Sequence, residues 1–288
     1  MKSLSKFLLG SMICLSFTWA PAQTLAETSA PGASPSLGER ALEDVHTLAE
    51  DLGIRPAGTD AETQAADFLA DRYRSMGYAV DETPFTWSNG RQTGTSRNVV
   101  ASDPNEDPDA PLVIIGGHYD SVPQGPGAND NGSGTATVLE VARELSVHPV
   151  SGVAVRYVAF GAEEVGLFGS RVYATGLSDA DRNRLQVAMS LDMLAVGDQP
   201  AFDGNEPWVT SALALAHSQG YDPVRLPASY HHQSDHGPFM DAELPAIMFH
   251  WLDDPCWHEP CDVADRVQPE AMDLMGSIAI ELVRIAAS

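Results

Sequence analysis

Three short apolar runs, Leu112–Ile115, Val153–Phe160 and Val187–Leu191, alternate with stretches of helical periodicity, Thr135–Leu145 and Leu167–Thr175. A strand that is apolar at nearly every position must be covered on both faces, and a parallel sheet sandwiched between helices meets that condition. The expected fold class is therefore α/β, a mixed and mostly parallel sheet covered by helices on both sides. Further helices are expected over Leu37–Leu52, Ala61–Met76, Val209–Gln219 and Pro269–Ile285, and further strands over Tyr78–Trp87, Thr95–Ala101 and Ala246–Trp251. Asp103–Ala110, with two prolines and four acids, reads as an exposed loop.

The architecture constrains function because loops beyond the carboxyl ends of parallel strands gather into one crevice. In this chain those loops carry acids and imidazoles. His118 and Asp120 lie in GGHYDS, Asp130 in GANDNGSG, Glu163 and Glu164 in GAEEVGLFGS, Asp192 in SLDML and His258 in CWHEPCD. Two imidazoles with three carboxylates suffice for a pair of divalent metals and leave a carboxylate over as a base. Taken singly, each has a plainer reading. Asp130 before a helix resembles an N-cap, paired glutamates are ordinarily a solvated face, and an isolated H-x-D is a weak signal. Asp192 is harder to dismiss, since it interrupts the apolar stretch Met189–Val196, where a buried carboxylate needs a partner. The histidine-rich His231-His232-Gln233-Ser234-Asp235-His236 reads as support or a substrate loop. His46, His148, His217 and His250 have no such context and read as structural or surface residues.

Lys2 and Lys6 precede the apolar run Phe7–Trp19, and Ala20-Pro21-Ala22 offers a small-residue cleavage site. Residues 1–22 are thus expected to be an export signal, which discards Cys14, followed by a tether over 23–36 and one domain over 37–288. Both lysines belong to the signal, so the remainder carries 14 Arg against 40 Asp plus Glu, a formal charge of −26. Such a surface repels phosphate backbones and anionic lipid, which argues against nucleic-acid and membrane partners. A saline habitat and an arginine-favouring genome account equally well for the missing lysine. Cys256 and Cys261 flank His258, and in an exported chain a disulfide is their simplest state. A zinc site using both thiolates and His258 is the alternative, with spacing that suits it poorly.

In this order, GGHYDS, NDNGSG, GAEExGLxGS, LDM and SDHxPF resemble the M28 family of zinc exopeptidases, in particular its secreted bacterial aminopeptidases of streptomycete type. The resemblance runs from about Leu37 to the end and includes Arg55-Pro56-Ala57-Gly58-Thr59. It implies two Zn2+ per chain, with His118 and Asp192 on one ion, Glu164 and His258 on the other, and Asp130 bridging. It further implies Glu163 as general base, Asp120 as partner of His118, and Met193 and Phe239 lining a pocket for the first side chain. Relatives place Tyr before the last histidine where this chain has Trp257, so the oxyanion donor differs. Peptides with a free N-terminus are the implied substrates and a monomer the expected state. A glutaminyl cyclase of the same fold and a carboxypeptidase are the alternatives. A binding module without catalysis would be expected to have lost ligands, and none is missing.

Overall fold

The computed structural model describes residues 34–288, so the expected export signal and most of the expected tether lie outside the described residues. Helix α1 (Leu37–His46) starts at a reciprocal cap. Ser36 Oγ accepts from the Glu39 N–H, and the Glu39 carboxylate accepts from the Ser36 N–H. A wider helical turn, Thr47–Asp51, extends it. Thr59 caps α2 (Asp60–Ser75) as the sequence suggests, through the Glu62 N–H.

Strands β1 (Ala79–Ser88) and β2 (Thr93–Ser102) form an antiparallel pair at the sheet's edge. There follow β3 (Leu112–His118), α3 (Gly134–Val147), β4 (Ala154–Phe160), α4 (Phe168–Gly176), α5 (Asp179–Arg184) and β5 (Leu185–Leu191). The last part adds β6 (Gln199–Gly204), α6 (Trp208–Ser218), β7 (Val224–Arg225), α7 (His236–Asp241), β8 (Ala246–Leu252) and α8 (Pro269–Ala286). The sheet order is β1-β2-β4-β3-β5-β8-β6-β7, and β4, β3, β5 and β8 run parallel at its centre.

The burial of β3 explains its unbroken apolar run. Val113 and Ile115 pack into a core with α1, α2, α3, α6 and α8, while Leu112 and Ile114 face the opposite core beside Phe160 and Phe239. Every residue of β3 is buried. Four elements, α5, β6, β7 and α7, were not anticipated. They are at most six residues long, too short to display a period. The chain runs from β3 to β4 on one side and then returns to place β5 on the other. That reversal opens a crevice at the carboxyl ends of the central strands.

Candidate metal centre

His118 is the last residue of β3, and its Nε2 faces two carboxylates, Asp130 Oδ1 at 3.2 Å and Asp192 Oδ1 at 3.5 Å. His258 Nε2 faces the other oxygen of Asp130 at 3.2 Å and Glu164 Oε2 at 3.1 Å. Two donor sets therefore meet at one carboxylate. In each of the groups His118–Asp130–Asp192 and Asp130–Glu164–His258 the donor atoms lie within 4.8 Å of one another. Among the described residues, Asp192 Oδ1 and Glu164 Oε1 are buried without any hydrogen-bond donor. An unsatisfied buried carboxylate oxygen is costly, and a divalent cation would satisfy both. Donor types and orphaned oxygens alike fit zinc.

The loop holding Asp130 is fixed by its neighbours. Asn131 Nδ2 donates to the Leu191 carbonyl at 2.8 Å, and its Oδ1 accepts from Gly134 N and Met193 N. Asn129 Oδ1 accepts from Ala195 N at 2.9 Å, and Ser133 Oγ accepts from Leu194 N at 2.9 Å. Asp262 accepts both the Asn129 and the Asp130 N–H, at 2.6 and 3.0 Å. The motif NDNGSG is thus bolted to residues 191–195, the segment that carries Asp192. Gly134 is required by this approach, since a methyl group there would overlap the Leu191 carbonyl oxygen. The N-cap reading of Asp130 fails, because its carboxylate serves the two imidazoles and α3 begins without a side-chain cap.

Asp120 is fully buried behind His118, with Oδ1 3.6 Å from Nδ1 of that imidazole. Its two oxygens accept the N–H groups of Glu163 and Glu164 at 3.0 and 3.2 Å. The alternation of an H-x-D motif suggests that both side chains point into the crevice. Only His118 does: its Nδ1 lies 3.2 Å from the backbone carbonyl oxygen of Asp120, which orients the ring, while the Asp120 carboxylate holds the backbone of the paired glutamates. Beneath them Arg55, fully buried, donates to the carbonyls of Tyr119 and Gly127 at 2.6 and 2.8 Å.

The protonation pattern follows from crowding. Burial pushes Glu163 well above the carboxylate range against the pull of His118, and the charges of Asp235, Glu164 and Asp192 add to the rise. Burial and the charge of Asp130 raise Glu164 to about 7. Hydrogen bonds to Asp130 and Glu164 lift His258 to about 10. Burial opposes a charge on His118, yet Glu163, Asp120, Asp130 and Asp192 hold it well above its usual value. Burial would raise Asp130 as well, but its bonds to the two imidazoles hold it low. The excess negative charge is balanced either by protons on these groups or by cations that displace them.

Cys256 and Cys261 form a disulfide with Cα atoms 5.4 Å apart, so the thiolate zinc site does not arise. The bridge closes the turn in which His258 sits at φ 58°, a conformation uncommon for a non-glycine residue. Trp257 is 54% exposed on the crevice wall, its ring 4.3 Å from that of His258. Met193 lines the crevice, but Phe239 does not. Phe239 packs in the core between Phe160 and Tyr173 at centroid distances of about 6 Å, because the apolar face of the short helix α7 turns inward. Within the histidine-rich segment, His231 and His236 bind Asp203 at 2.6 and 3.1 Å, and His232 lines the crevice. The supporting roles of Asn129, Asn131, Ser133 and Asp262 escaped the sequence reading, although the asparagines flanking Asp130 were a visible signal.

The fold has a close counterpart in the solved structure of a zinc aminopeptidase from Bacillus subtilis. The likeness has a TM-score of 0.79 at 21% identity and covers 86% of this chain and 96% of that one. A glutaminyl cyclase from Fimbriiglobus ruber shares the fold too, at TM-score 0.73 and 23% identity over 88% of this chain and 96% of that one. In sequence, the chain is similar to Aminopeptidase YwaD of Bacillus subtilis (strain 168), 36% identical over 199 residues. That match takes in 64% of this chain and 43% of the relative, so the chain spans less than half of that protein's length. Residues 98–283, which hold all five residues of the two donor sets and the whole parallel centre of the sheet, match the model of peptidase family M28, and the chain belongs to that family.

Proposed function

We propose that this chain is a zinc-dependent aminopeptidase that removes the first residue of peptides with a free N-terminus. The observation that carries the reading is the pair of donor sets sharing Asp130, at the base of a crevice of about 600 Å³ whose walls, among the described residues, hold neither arginine nor lysine. A carboxylate-lined crevice suits an α-ammonium group, whereas a carboxypeptidase would need a cation to hold the C-terminal carboxylate.

His118, Asp130 and Asp192 would hold one zinc ion, and Asp130, Glu164 and His258 a second. Zinc bound there supplies a Lewis acid and lowers the pKa of water toward neutrality. Glu163, on the crevice wall, takes the proton from the attacking water and returns it to the leaving amine nitrogen. Asp120 holds Glu163 and Glu164 by their N–H groups and orients the His118 ring. Trp257, whose ring stands beside that of His258, would offer its indole N–H as a donor for the tetrahedral adduct.

We extend the proposal to organisation, with residues 1–22 as an export signal, 23–36 as a tether and 37–288 as the peptidase domain acting outside the cytoplasm. The mature N-terminus found by Edman sequencing of exported protein tests this. Among the described residues no helix is long and apolar enough to cross a membrane.

The activity is tested on leucyl, N-acetyl-leucyl and glutaminyl anilides, with metal analysis and with chelator. Leucyl hydrolysis that the chelator abolishes, and that the acetyl group blocks, is the expected result. Equal hydrolysis of the acetylated substrate would overturn it, and so would cyclisation of glutamine at one zinc per chain.

A further inference from the structure

Strand β8 alternates, so Met248, His250 and Leu252 share a face, and all three line the crevice together with Met193 and Tyr230. His250 is only 8% exposed. Its Nδ1 lies 3.1 Å from the carbonyl oxygen of Asp192. A carbonyl only accepts, so Nδ1 bears the hydrogen, and in the neutral ring Nε2 carries a lone pair. Among the described residues no protein group donates to that lone pair, and the ring is part of the crevice wall. The ring is mostly buried as a residue, but Nε2 is not among the enclosed atoms, so its open acceptor is within reach of a ligand's donor in the crevice.

The position identifies the ligand group. His250 hangs from the peptide of Asp192, one residue from Met193, so the recess begins beside the metal centre, where the first residue of a substrate would lie. Its walls are the apolar side chains of Met193, Met248 and Leu252, and Asp253 and Asp254 add carboxylates to the crevice wall. An apolar channel with an acceptor in its wall, carboxylates nearby and no cation fits a long aliphatic stem ending in N–H donors.

We propose that this recess selects peptides beginning with lysine or arginine, and that His250 is the residue that sets the preference. The proposal rests on the aminopeptidase reading. A leucyl or norleucyl side chain fills the recess but leaves Nε2 desolvated and unpaired, and that mismatch is the source of discrimination.

The test compares kcat/KM for lysyl, norleucyl and glutamyl anilides with the zinc-loaded protein, since norleucine keeps the lysine stem and lacks only its ammonium group. Lysyl should exceed norleucyl by about tenfold or more, with glutamyl slowest. In His250→Leu the lysyl-to-norleucyl ratio should collapse toward unity, and His250→Gln, which retains an acceptor, should recover part of it. Zinc content of each variant separates loss of the recess from loss of metal. A norleucyl rate equal to or above lysyl in the unaltered protein would overturn the proposal even if neither variant folds, as would a ratio unmoved by His250→Leu. No hydrolysis of any of the three would overturn the aminopeptidase reading itself.

Discussion

Two clusters of buried carboxylates in this molecule are built on opposite principles. In the helical layer Glu140, fully buried, receives Arg40 Nε at 2.6 Å and Arg143 Nε at 2.9 Å, while Arg72 Nη2 binds Asp44 at 2.7 Å. In the crevice Asp130, Asp192 and Glu164 face only imidazoles, and two of their oxygens have no donor. The chain has 16 Lys plus Arg in all, and it spends arginines where the fold needs neutrality and withholds them from the crevice walls. A buried acid matched by guanidinium is a structural element. A buried acid left with an open oxygen is a binding site.

This contrast breaks first in rate. Glu163→Gln removes the proposed base and leaves both donor sets intact, so kcat on leucyl anilide should fall by about 10²- to 10⁴-fold. Zinc content by atomic absorption should be unchanged. Activity retained by this variant would take Glu163 out of the base role.

The arginine cluster should break in the opposite manner. Glu140→Gln strands Arg40 and Arg143, which are about a third exposed, so unfolding free energy should drop by about 3 kcal/mol, the low end for a broken buried pair. Urea denaturation reads this loss, and zinc content should be unaffected. Metal loss in this variant, at temperatures where it remains folded, would erase the distinction between the clusters.

Glu62 is a third case, buried and bonded to the Ser96 hydroxyl and the Gly58 N–H, with neither arginine nor imidazole among its bonding partners in the described residues. Burial, helped by the charge of Asp120, raises it to about 7. A carboxyl with a raised folded pKa binds a proton that the unfolded chain releases. Its contribution is complete below the ordinary pKa of about 4.5 and disappears as pH climbs to 7, an amount of roughly 2 to 3 kcal/mol. Asp262, raised to about 6 by burial, titrates in the same window. The informative quantity is therefore the difference between the native protein and Glu62→Gln, which should shrink the decline. Parallel pH profiles of denaturation midpoint would refute the assignment.

The smallest effect is expected from the disulfide. Its loop is only six residues, so the double variant Cys256→Ser, Cys261→Ser should lose about 2 kcal/mol by loop-closure entropy. Because the loop carries His258, the same variant should also bind zinc more weakly, measured by competition with a chromophoric chelator. Unchanged zinc affinity would show that the bridge serves stability alone.

Much of this molecule was legible in the chain itself. Continuous apolar strands and intervening helical periods specify a covered parallel sheet, and such a sheet delivers His118, Glu163, Glu164 and Asp192 to one end. Those inferences work because strand burial and helix period are local properties that survive in the sequence. Other features are matters of distance between remote segments. The sequence suggested that Phe239 lines the pocket, but the inward face of α7 buries it. It suggested that Asp120 faces the crevice, but the turn after β3 carries it behind His118 to the backbone of Glu163 and Glu164. His250 offered nothing in the sequence, a lone histidine in an apolar strand. Only the pairing of β8 beside β5 brings its ring to the Asp192 carbonyl and leaves its second nitrogen open. Local patterning was enough to specify the fold class and the residue types that could hold metal. Which buried polar atoms found partners and which were left for a ligand emerged only on folding, because hydrogen bonds between segments some 60 residues apart depend on how strands register and loops close.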